Sequence, residues 1–157
     1  KESLYVVSDG SAAAKQMTFG WIISTTKGQG LANSHGSCTA RPSSLQAKAG
    51  GMITMLQTHY QCTFRPDKLG FMADNLELIT RLNNHKRYIN LYPNTTVRAE
   101  FDLTEQIHLL HKEHNLPSYL CHVKGHQDRT TEYSKLDLPA QLNCNADQLA
   151  GRFYYHR

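Results

Sequence analysis

The sequence predicts an α/β domain built on a five-stranded, partly parallel sheet. Three observations predict it. Up to Ser37 the chain alternates as three strands in succession. Beyond that point, apolar residues recur at helical spacing between short β-branched runs. Helices that separate strands require crossover connections, and these make neighbouring strands parallel. At 157 residues the chain fits one domain, residues 1–157, large enough to bury its own core. Hydrophobic residues make up 39% and charged residues 19%, a balance that excludes a disordered chain.

Leu4-Tyr5-Val6-Val7 is β-branched and aromatic, a buried strand that ends at Ser8-Asp9-Gly10-Ser11. Met17 to Ser24 alternates as a second strand, Lys27-Gly28-Gln29-Gly30 is a turn, and Leu31 to Ser37 returns as a third. Arg41-Pro42-Ser43-Ser44 opens a helix, and Leu45, Ala49, Met52, Ile53 and Leu56 follow at helical spacing. Phe71-Met72-Ala73 is a fourth strand ending at Asp74, and Leu76, Ile79 and Leu82 begin a second helix. Residues 86–101 read as irregular. Leu103, Ile107 and Leu110 mark a third helix stopped near Pro117, Tyr119 to Val123 a fifth strand, and Leu142, Ala146, Leu149 and Phe153 a last helix.

The formal net charge of +4 permits an anionic partner without requiring one. Cys38, Cys62, Cys121 and Cys144 form no C-x-x-C pair, which argues against a zinc ribbon or redox motif; free thiols are expected. No apolar run approaches the roughly 20 residues that span a bilayer. No secretory signal pattern opens the chain, and the start at Lys1-Glu2-Ser3-Leu4 suggests a segment of a longer, intracellular protein.

Asp9 and Asp74 fall at strand ends, and Asp147 lies in the last helix. Ligands of open α/β sheets gather at the carboxyl ends of strands. Two carboxylates there, joined by a third from a helix, would suit Mg²⁺, which prefers carboxylate and water. Each aspartate alone reads more readily as a cap or turn residue.

Six strings, in order, resemble the type 1 ribonuclease H domain, especially the form found in retroelement reverse-transcriptase polyproteins. They are Val7-Ser8-Asp9-Gly10-Ser11, Phe19-Gly20-Trp21-Ile22-Ile23, Arg41 through Leu56, Met72-Ala73-Asp74-Asn75, His122-Val123-Lys124-Gly125-His126-Gln127-Asp128 and Leu142 through Ala150. The resemblance covers nearly the whole chain. It implies a ribonuclease-H-like fold: three antiparallel strands, then two parallel ones, flanked by helices. It implies one or two Mg²⁺ or Mn²⁺ ions on Asp9, Asp74 and Asp147, and hydrolysis of the RNA strand of an RNA–DNA hybrid by metal-activated water. His126 would match the mobile histidine that assists proton transfer or product release. Ser43, Ser44, Asn75 and Asn143 resemble positions beside the RNA strand, where short polar groups could read a 2′-hydroxyl. The remainder of a polyprotein would be a further partner. The late Asp147 and the His122-to-His126 string argue against a DNA-acting integrase core.

One position departs from the family. Where it has a glutamate in the first helix, this chain has Lys48, within Leu45-Gln46-Ala47-Lys48-Ala49-Gly50, and the next acid downstream is Asp67. An ammonium about 4 Å from a divalent ion is repelled by several kcal/mol even at an effective dielectric of 20. Lys48 leaves three readings open: a natural substitution that disables the nuclease, a deliberate knock-out, or a working site with Lys48 turned away or on a phosphate. A non-catalytic nucleic-acid or structural platform is the alternative to an enzyme.

Lys86 and Arg87 beside Tyr88, and Lys124 with Arg129, are basic patches that could follow a phosphate backbone. His108, His111 and His114 recur every third residue, but steps of about 60° drift spread the outer two apart, so solvated helix positions are the better reading.

Overall fold

The computed structural model describes residues 3–13, 16–38, 47–54, 68–85, 101–114 and 118–155. Five strands form one mixed sheet in the order β3-β2-β1-β4-β5. They are β1 (Ser3–Ala13), β2 (Gln16–Thr25), β3 (Gly30–Cys38), β4 (Lys68–Ala73) and β5 (Ser118–His122). The first three are antiparallel, and β4 and β5 run parallel to β1, as expected. The helices are α1 (47–54), α2 (Leu76–His85), α3 (Phe101–His114) and α4 (Leu138–Tyr155).

Strand alternation divides the core between the two sheet faces. Leu4, Val6, Phe19, Trp21, Ile23 and Phe71 pack with Ala49, Met52, Leu78, Leu82 and Ile107, so α1, α2 and α3 cover one face. Val7, Ile22 and Met72 pack with Leu142, Ala146 and Leu149, so α4 covers the other. In α2 the buried stripe is Leu78, Ile79 and Leu82, whereas Leu76, at the first helical position, is 61% exposed.

Two element ends differ from the sequence reading. Asp9 does not end β1. The strand continues to Ala13 because β2 pairs with it along its length, with Asp9 opposite Gly20 and Ala13 opposite Gln16. What ends near Asp9 is the parallel ladder with β4, which closes at Val7 and Met72. The last helix opens earlier than its apolar spacing suggests. The Asp137 carboxylate accepts the Ala140 N–H at 3.0 Å, a cap on the first turn, with Pro139 just inside the helix. Before it, two 3₁₀ turns, Gln127–Arg129 and Tyr133–Lys135, carry the chain from β5 to α4.

Two glycines let helices approach β1 and β2 closely. A Cβ on Gly10 would lie 2.6 Å from the Ala47 carbonyl carbon and 2.7 Å from the Lys48 nitrogen. A Cβ on Gly20 would lie 2.5 Å from the Ala146 oxygen and 2.8 Å from the Ala150 nitrogen. Lacking side chains, the two strands seat α1 and α4 at contact distance, α1 beside the residue that follows Asp9 and α4 on the residue opposite it.

Candidate functional site

Asp9 and Asp74 stand two residues beyond the last pair of the β1–β4 ladder, and so come side by side. Past that point β1 has no ladder partner on the β4 side among the described residues, and the Lys48 side chain, carried in by α1, reaches both acids. Its Nζ lies 3.1 Å from Asp9 Oδ1 and donates a charge-assisted hydrogen bond to Asp74 Oδ1. All three side chains are nearly sealed from solvent, at 3% for Asp9, 5% for Asp74 and 11% for Lys48. Asp9 Oδ1 also accepts the Gly10 N–H at 2.8 Å. A Cβ on Gly125 would lie 2.5 Å from Asp74 Oδ2, so the loop after β5 closes over that carboxylate.

Burial pushes the Asp9 carboxyl up to about 7; the Lys48 ammonium and the Gly10 N–H pull it down, and the Asp74 carboxylate adds to the rise. Burial opposes the charge on Lys48, but Asp9 and then Asp74 outweigh it and hold the ammonium above its ordinary value. Asp9 therefore titrates near neutrality. In the unfolded chain it would titrate near 3.8. Between those values the folded protein holds a proton the unfolded chain has released, so stability falls as pH rises through about 7. Raising the pH from about 5.5 to about 8.5 is expected to lower the unfolding free energy by about 2 kcal/mol through this group. Urea unfolding of the parent and Asp9→Asn at both pH values checks it. Equal pH slopes in the two proteins would exclude Asp9.

Asp147 is carried by α4. Its Oδ2 lies 3.8 Å from His126 Nδ1, with both side chains more than 40% exposed. His126 holds a left-handed backbone (φ 54°, ψ 33°), unusual outside glycine, at the entry to the first 3₁₀ turn. Among the described residues, no three His, Cys, Asp or Glu side chains group closely enough to hold a metal ion. With the Lys48 ammonium between Asp9 and Asp74, the residues present do not fit a divalent ion there.

The other sequence candidates divide. Asn143 is 1% exposed on the buried side of α4, and its Oδ1 finds no hydrogen-bond partner among the described residues. Asn75 accepts the Leu78 N–H at 2.9 Å and caps α2. Lys124 and Arg129 are exposed on the loop that carries His126. Lys124 also borders a cavity of about 270 Å³ with Met72, His122, Gln127, Asp137 and Pro139. The sequence reading missed this cavity, which is assembled from three separate segments. Ser43, Ser44, Lys86 and Arg87 lie outside the described residues, as do the side chains of His111, His114, Cys38 and Cys62. Cys121 and Cys144 are free thiols.

No protein-family model matches the sequence, and no curated protein matches it. Solved structures do. Ribonuclease H1 of the halophilic archaeon Halobacterium salinarum NRC-1 superposes with a TM-score of 0.69 at 15% identity, over 99% of each chain. LC11-RNase H1, isolated from compost and solved with an RNA/DNA hybrid, gives 0.68 at 14% identity, over 95% of this chain and 94% of that one. The protease-reverse transcriptase of prototype foamy virus gives 0.69 at 16% identity, over the whole of this chain and 21% of that one. The fold is therefore the ribonuclease H fold. In this chain the acidic pair at the end of the β1–β4 ladder is bridged by Lys48.

Proposed function

We propose that this domain engages RNA–DNA hybrid as a ribonuclease-H-type module and cuts it poorly, because Lys48 occupies its acidic pair. The observation that carries the reading is the placement of Asp9 and Asp74 beside the end of the β1–β4 ladder, tied to one buried ammonium. Ligand sites of α/β sheets form at such strand ends. Similarity to a hybrid-bound ribonuclease H1 supports hybrid as the ligand. Similarity to one part of a viral polyprotein supports a longer parent. A fully active hydrolase with Lys48 swung away is disfavoured, since Lys48 would have to give up its contacts with both acids.

Fluorescence anisotropy with labelled RNA–DNA hybrid and duplex DNA, in EDTA, tests the reading. Hybrid is expected to bind more tightly, and salt to weaken binding by counterion release. Lys124→Ala with Arg129→Ala is expected to lower affinity and flatten the log–log salt slope by up to about 2. Equal affinity for the two duplexes would overturn the proposal.

A further inference from the structure

We infer that Lys48 is the site's own cation: its ammonium fills the space between Asp9 and Asp74, so this acidic pair is closed to Mg²⁺ and Mn²⁺. This goes beyond hybrid binding and does not depend on it.

Two carboxylates side by side in a site this dry repel each other unless one takes up a proton or a cation lies between them. A metalloenzyme takes that cation from solution. Here it comes attached to the chain. Lys48 enters on α1, whose backbone is seated against β1 at Gly10. Its ammonium meets one oxygen of each acid. The surroundings fix both acids in that arrangement: the Gly10 N–H holds Asp9, and the Gly125 backbone closes over Asp74.

A tethered ion acts at high effective concentration, so folding itself supplies the charge. For a metal to enter, Lys48 would have to leave both acids, and a side chain that is 11% exposed would be left charged and unpaired. The substitution therefore does more than delete a ligand. It fills the space between the two acids.

Thermal melting, together with the electron paramagnetic resonance signal of free Mn²⁺, tests this on the 157-residue chain. The parent protein is expected to melt at the same temperature in EDTA and in millimolar Mn²⁺, and to leave the free Mn²⁺ signal undiminished. Lys48→Ala is expected to melt about 10 °C lower in EDTA. Mn²⁺ should restore at least about 5 °C of that loss, and adding Asp9→Asn should abolish the restoration. Lys48→Met, which keeps most of the side-chain volume, serves if the alanine variant does not fold. A parent protein that Mn²⁺ stabilises, with the stabilisation lost in Asp9→Asn, would overturn the inference whatever the Lys48 variants do.

Discussion

Lys48→Glu is expected to raise cleavage of RNA–DNA hybrid in Mg²⁺ at least about a hundredfold, equivalent to about 2.7 kcal/mol of barrier. The parent chain should cleave hybrid very slowly. Its acidic pair is bridged by an ammonium, which cannot ligate a metal. A carboxylate at position 48 changes the local charge by two units and removes the internal cation. Asp9, Asp74 and the new carboxylate would then form an oxygen-rich site suited to Mg²⁺ or Mn²⁺. Asp9→Asn in that background should abolish the gain, because the same ion would need Asp9. Rates on a labelled hybrid, parent against both variants, check this. A parent chain as fast as Lys48→Glu would show that Lys48 does not limit hydrolysis.

Gly10→Ala is expected to destabilise the domain by about 3 kcal/mol, the upper end of the usual cost of overpacking. The added Cβ would meet the backbone of Ala47 and Lys48 at 2.6 and 2.7 Å. A backbone cannot turn aside as a flexible side chain can, so α1 would have to lift from β1 and carry Lys48 away from Asp9. Gly30→Ala is the control, since a Cβ there meets nothing within 4 Å. Urea unfolding of the two variants separates them. Matching midpoints would mean that α1 does not rest on Gly10.

The split between antiparallel and parallel pairs was legible because it follows from alternation and from crossovers, both local patterns. The end of β1 was not. Ser8-Asp9-Gly10-Ser11 has turn composition, and only the partner strand keeps it extended. Asn143 was read as a site residue from its polarity and its string. Its spacing of three and seven residues from Ala146 and Ala150 places it on the buried stripe of α4, a signal that the sequence carries beside the motif. Asp137-Leu138-Pro139 likewise carried an unused helix-start signal. Lys48 was legible as the departing residue. Its position between two acids was not, because that contact depends on α1 crossing β1 at Gly10 and on β4 lying next to β1. Neither closeness is written in any single string.

Trp21 is the chain's single tryptophan. It is 3% exposed, its indole N–H has no partner among the described residues, and it packs in the cluster with Phe19, Met52 and Ile107. An indole in so apolar a setting emits at short wavelength and shifts to the red when water reaches it. The domain therefore carries an optical gauge of its own core. Its emission follows the packing of α1, α2 and α3 on the sheet, so unfolding can be followed without attaching a dye near the acidic pair.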